Sequence, residues 1–291
     1  METYYDWLWS NPSLRYYFSP NPEQEIARIK RAYSHQCSED GLESMIDTFH
    51  IKIAPLHSGR IFKIGEEFES AIGFADLDVK GKFLKEAPIS YVQLNHDYHL
   101  CNDISFNSFY YLVDVRDDGC RCIRLMVNFR EKKRNTLYHG GLIQTIHDDE
   151  NIGARMDRLE VIRPVTMTKG AEKICKDEAV QSINKHLPFL AKIILYIDSG
   201  NPDLRFLKKP NQSKYKQRKK NDDTTISDCY LVGYNWKKDI LYNQDSTEVK
   251  AHLRWQPCGK GRSQVKLVIV RAHTRTYKNV RKLDNPYPHL M

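Results

Sequence analysis

No run of apolar residues in this chain approaches the length that crosses a bilayer. The closest, Phe189 to Ile197, is interrupted by Lys192 and falls well short of the ~20 residues a spanning helix needs. The opening residues, Met-Glu-Thr-Tyr-Tyr-Asp-Trp, have neither the basic start nor the apolar middle of a secretory leader. A cytoplasmic protein with no membrane partner is therefore expected. Cysteine is sparse: seven are scattered over 291 residues, and only Cys120 and Cys122 lie close together. No second pair and no suitably spaced histidine completes a zinc set, so buried thiols in a reducing compartment are expected, with no metal and no cofactor. Gly259-Lys260-Gly261-Arg262-Ser263 lacks the upstream glycine of a phosphate-binding loop, which excludes a nucleotide site of that kind.

Acid is also missing, in two places. From Val249 to Leu283 there is no Asp or Glu but ten Lys or Arg, and from Arg205 to Lys220 there are eight more, again without acid. Those eighteen leave 27 basic residues against 37 acidic ones elsewhere. The net +8 of the whole chain thus hides two cationic runs on an acidic body, a distribution that points to a polyanionic partner.

Hydrophobic content of 41% supports a real core, in one large or two ordinary domains. Glu23 to His35 reads as a helix capped by Asn21, with Pro22 at its first turn and Ile26, Ile29 and Tyr33 along one stripe. Ile89 to Leu94, Phe109 to Val115 and Cys120 to Phe129 read as strands, the last two joined by a tight turn at Asp117-Asp118-Gly119. Arg121 and Arg124 fall on opposite parities, which implies a bulge or a strand not split into wet and dry faces. Leu142 to Met156 and Ala171 to Ile197 carry helical periodicity; Pro188 should split the second, and Ser199-Gly200-Asn201-Pro202 should stop it. Tyr230 to Trp236, Glu248 to Gln256 and Val265 to His273 are strand-like. The N-terminal aromatics, Tyr4 to Phe18, are expected to bury themselves against a sheet.

The expectation is an α+β fold: a mixed sheet-plus-helix central domain with a small C-terminal basic β module. Its parts are an aromatic-rich, partly helical region 1–88, a central domain 89–203, a basic flexible linker 204–224 and the basic module 225–291. Within the module, extended chain places His252, Arg254 and Gln256 on one face and Leu253 and Trp255 on the other. Beside the Lys260 and Arg262 turn, with Lys266, His273 and Arg275, they make a candidate anion cradle. Lys214, Lys216, Arg218, Lys219 and Lys220, with Phe206 and Tyr215 interleaved, could hold RNA by charge and stacking. His252 and His273 could serve as acid and base in phosphodiester cleavage. His139-Gly140-Gly141 reads as a turn, and His147-Asp148-Asp149-Glu150 as a solvated helical face.

Three segments resemble a known family. They are the strand pair near Ser90 to Phe129, the helix Leu187-Pro188-Phe189-Leu190 through Tyr196-Ile197, and the block His252-x-Arg254-x-Gln256-Pro257-x-Gly259-x-Gly261-Arg262-Ser263 with Lys266, Val268, Val270, His273 and Arg275. The family is that of the phage- and plasmid-borne proteins typified by the type V-A anti-CRISPR that blocks production of the type V-A CRISPR nuclease. The resemblance covers roughly residues 90–280. It implies an anti-defence protein that recognises the nuclease or its nascent chain and lowers its messenger RNA during translation, with RNA or the ribosome as a further partner. The alternatives are a general RNA- or DNA-binding protein without a CRISPR target, and a metal-independent nuclease using the paired histidines.

Overall fold

A computed structural model of the chain describes residues 5, 16–19, 21–73, 75, 77–101, 104–131, 136–156, 160–166, 182–198, 202–207, 229–234, 246–249, 252–258, 264–270 and 273–276. Helix α1 (Pro22–Tyr33) starts as its sequence dictates: the Asn21 side chain accepts from the Gln24 N–H, and Pro22 occupies the first turn. Helix α2 (Glu39–Ser58) is capped by Ser38 and ends at Gly59, whose φ of 67° is open to glycine. Strand β1 (Ile61–Ile64), helix α3 (Glu66–Gly73) and strand β2 (Ala87–Cys101) follow. Then come β3 (Ile104–Val115), β4 (Arg121–Glu131), β5 (Thr136–Ile146), α4 (Ile152–Met156), β6 (Glu160–Thr166), α5 (Leu187–Asp198), β7 (Leu204–Leu207) and β8 (Cys229–Val232).

Eight strands form one sheet in the order β6-β5-β4-β3-β2-β1-β8-β7. It is a mixed sheet: β1 runs parallel to both β2 and β8, and every other neighbouring pair is antiparallel. The fold is α+β. Both faces are covered. Phe62, Phe109, Tyr111, Ile123, Leu125 and Val127 pack with Phe68 and Ile72 of α3 and with Leu190, Ile193 and Ile194 of α5. On the reverse face Ile61, Tyr91, Tyr110 and Met126 pack with Tyr5, Tyr17, Ile29, Phe49 and Ile53. Tyr5 is fully buried, its ring edge-on to Tyr91 at 4.9 Å, so this part of the N-terminal aromatic cluster lies against the sheet.

Burial on both faces resolves the parity of Arg121 and Arg124. The β3–β4 ladder is unbroken from Ser108↔Asn128 to Val115↔Arg121, so β4 has no bulge there. Both parities of the strand are largely buried, with Arg124 exposed among buried neighbours. The turn at Asp117-Asp118-Gly119 is present, with Gly119 at φ 79°. Pro188 sits at the start of α5, and 171–181 lie outside the described residues.

The expected helix over Leu142 to Met156 is corrected. Its first part is the end of β5, where Leu142 opposes Leu125 and Ile146 opposes Arg121; only Ile152–Met156 is helical. The long ladder with β4 outweighs a weak periodicity, because strand preference follows from the neighbouring strand. Gly140 and Gly141 are likewise in β5, where the β5–β6 register shifts, as strand glycines often are. β7 and β8, which flank 208–228, are adjacent strands of the central sheet, with Leu207 opposite Cys229.

The last four strands, β9 (Ser246–Val249), β10 (His252–Cys258), β11 (Gln264–Val270) and β12 (His273–Thr276), form two antiparallel pairs, β9 with β12 and β10 with β11.

Candidate functional site

Strand β10 pairs β11 with His252 opposite Val270, Arg254 opposite Val268 and Gln256 opposite Lys266. Residues directly opposed in an antiparallel ladder share a face. One face of this ribbon therefore carries His252, Arg254, Gln256 and Lys266 together with Val268 and Val270. The alternate positions are Leu253, Trp255, Leu267, Ile269 and Val265, an apolar set. Leu253 is 6% exposed and belongs to the same core cluster as Leu190 and Ile194 of α5. Gln256, Val268 and Val270 are half-buried. Pairing of β9 with β12 puts His273 opposite Val249 and Arg275 opposite Thr247. The two histidines are thus not paired with one another. Lys260, Arg262, Lys214, Lys216, Arg218, Lys219 and Lys220 lie outside the described residues.

The 147–150 segment is a turn between β5 and α4, a correction to the helical face expected there. Asp148 pairs with Arg121, Glu150 accepts from the His147 N–H at 2.8 Å, and the His147 Nδ1 lies 2.9 Å from the Cys120 Sγ. Burial raises the Cys120 pKa, so the thiol stays protonated. Among the described residues there is no group of three or more His, Cys, Asp or Glu that could hold a metal ion.

Two polar centres escape a reading of the sequence. At the start of β1, Arg60 donates to Ser90 Oγ at 2.6 Å and to Tyr111 OH at 3.2 Å, and pairs with Asp198 Oδ1 at 2.6 Å. Tyr111 donates to the other oxygen of Asp198 at 2.8 Å. Burial and the Asp198 charge raise the Tyr111 pKa. Burial works against the Arg60 charge, but Tyr111 and Asp198 outweigh it. This network ties the C-terminal end of α5, where a carboxylate alone opposes the helix dipole, to the middle of the sheet.

The second centre is Glu69 on α3, 1% exposed. It accepts from the backbone N–H groups of Asn95 at 2.6 Å and His96 at 3.2 Å and from Tyr98 OH at 2.9 Å, with His96 Nδ1 at 3.0 Å. These donors come from the irregular part of β2, between Gln93 and Tyr98. The carboxylate satisfies the N–H groups that the bulge removes from the ladder. Beside Glu66 and Glu67 it looks in sequence like one more solvated acid. Both centres tie a helix to the strands of the sheet.

No family model and no curated protein matches the chain. Among solved structures it is similar to one described as the crystal structure of AcrVA2, with a TM-score of 0.42 and 12% identity over 86% of this chain and 82% of that one. At that level the likeness carries no argument about fold or function.

Proposed function

We propose that this chain is an anti-defence protein of a mobile element, of the anti-CRISPR kind. It binds a type V-A nuclease or its nascent polypeptide and lowers expression of that nuclease, while its basic ribbon faces RNA or the ribosome. The residues that would carry the polyanion contact are His252, Arg254, Gln256, Lys260, Arg262, Lys266, His273 and Arg275. The observation that supports this reading is the two-sidedness of the ribbon. Leu253 is buried in the core, and by register His252, Arg254, Gln256 and Lys266 take the alternate positions of the ladder, with Val268 and Val270 beside them. A row of guanidinium, imidazole and ammonium groups without acid suits phosphate. The motif-level resemblance over residues 90–280 supplies the biological context.

Co-expression with several type V-A nucleases tests the proposal, reading nuclease protein and transcript together. The expected outcome is loss of one nuclease transcript only when that transcript is translated. Unchanged protein and transcript across the set would sink it.

A further inference from the structure

The face of the sheet that packs with α1 and α2 changes character along its strands. One row across β2, β3 and β4 is apolar: Tyr91 opposite Tyr110, and Tyr110 opposite Met126. Two residues along the strands the row is Gln93, Ser108 and Asn128, again in register and all buried. Past the irregularity between Phe106 and Ser108 comes a third row, with His99 opposite Ser105 and Ser105 opposite Arg130. The residues flanking this row, Leu100, Ile104, Phe106 and Phe129, belong to the core on the other face. Alternation then puts His99, Ser105 and Arg130 together on the α1 side.

The second row is bonded within itself and to its strands. Tyr91 OH donates to Gln93 Oε1 at 2.5 Å, Gln93 Nε2 donates to Asn107 O at 3.0 Å, and Asn128 Nδ2 donates to Ser108 Oγ at 2.8 Å. The third row differs. Ser105 is 2% exposed, and its Oγ has no hydrogen-bond partner among the described residues. A buried hydroxyl without a partner is costly, so a bond supplied from outside the fold would repay it. On either side stand His99 and Arg130, both exposed. Arg130 makes no ion pair among the described residues. The positions opposite it, Ser105 and Leu137, bring no carboxylate, and Asp97 on β2 accepts from Asn107 Nδ2 at 2.8 Å. The end of β2 is held from the other face, where Ser182 Oγ donates to Leu100 O at 2.6 Å and His186 bonds the His99 backbone.

We infer that His99, Ser105 and Arg130 form a binding site for a phosphate group. Directly opposed side chains of an antiparallel ladder start about 5 Å apart, so the three can converge on one tetrahedral anion. Arg130 supplies the charge and paired N–H donors. His99 supplies a ring N–H, and Ser105 an O–H at the floor. The anion in turn gives the buried hydroxyl its missing acceptor. Entry requires the exposed Arg130 or His99 side chain to swing aside, a motion exposed side chains make in picoseconds to nanoseconds. The site lies on the central sheet, apart from the β10–β11 ribbon, and uses no residue of the two acid-free runs. It does not depend on the function proposed above.

The test is isothermal titration calorimetry of the purified full chain with inorganic phosphate at constant ionic strength, repeated with a nucleoside monophosphate and with acetate. Phosphate is expected to bind at one site, and acetate more weakly. Arg130→Gln should weaken phosphate binding about tenfold, through loss of its charge-assisted bonds. Ser105→Ala should weaken it about fivefold without lowering the melting temperature of the ligand-free protein, because no native bond is lost. A lowered melting temperature with parental phosphate affinity would make Ser105 a structural hydroxyl and overturn the proposal. So would no phosphate binding, equal affinity for acetate and phosphate, or parental affinity in Arg130→Gln. Tighter binding of the nucleoside monophosphate, with the same dependence on Arg130, would identify a phosphate ester as the ligand; equal affinity would identify the free anion. Because this assay needs no nuclease target, the co-expression experiment can fail while it succeeds, and the reverse.

Discussion

Lys52 shows how far a single residue can depart from what its type predicts. It is 5% exposed on α2, its Nζ lies 3.4 Å from Tyr17 OH and 5.1 Å from the centre of the Tyr17 ring, and burial pushes its pKa down to about 7. The unfolded chain would hold that proton up to about pH 10.4. Between pH 7 and 10 the unfolded state therefore binds more protons, and stability contributed at this position rises with pH. The cost is fully present below pH 7. Lys52→Met, which keeps the length and removes the charge, should raise stability by roughly 5 kcal/mol at pH 6. The gain should shrink as pH approaches 10. Melting curves of parent and variant across that range check it, and a gain that ignores pH would refute the titration argument. In sequence, Lys52 is one lysine in a helix of mixed composition; its contact with Tyr17, 35 residues earlier in the chain, has no local signature.

The elements were legible in proportion to how local their causes are. α1 follows from Asn21, Pro22 and the Ile26–Ile29 stripe, all within a few turns. The β3–β4 hairpin follows from Asp117-Asp118-Gly119. β5 was misread because its strand state comes from pairing with β4, which lies across a connection and has no local signature. β1 was missed for the same reason: Ile61–Ile64 is four residues long and gains its place from parallel neighbours on both sides. Glycine separates local from tertiary demands in one experiment. Gly119 at φ 79° has open space where a Cβ would go, whereas Gly233 at φ 72° has the Phe68 ring there. Gly119→Ala should cost about 1 kcal/mol from backbone strain alone. Gly233→Ala should cost clearly more, by overpacking against Phe68. Urea denaturation of both variants decides, and equal losses would show that Phe68 moves aside freely.

At the scale of the whole molecule, charge is segregated. Eighteen of the 45 basic residues lie in two acid-free runs. One run spans β7 and most of the segment between β7 and β8; the other includes most of the terminal ribbon. Among the described residues no helix is long and apolar enough to cross a membrane. If the ribbon holds single-stranded phosphate, log affinity should fall linearly with log salt. Reversing Lys260, Arg262 and Lys266 to Glu should then lessen the slope by about 2, at roughly 0.7 per lost contact. A salt titration of RNA binding by parent and triple variant reads this directly, and an unchanged slope would remove those residues from the interface.

Composition and pattern alone determined the mixture of helices and strands, the cationic runs, and the division of the 252–256 strand into a polar and an apolar row. These depend on neighbours in the chain: alternation by two, recurrence by three or four, and a run of like charge. Tertiary structure alone decided that Leu253 is buried in the core, that Glu69 is a buried tie, and that Arg60 meets Asp198. Those facts arise from residues well separated in the chain meeting in space, Glu69 with Asn95 26 residues on and Arg60 with Asp198 138 residues on, and contacts of that range leave no periodic trace in the chain.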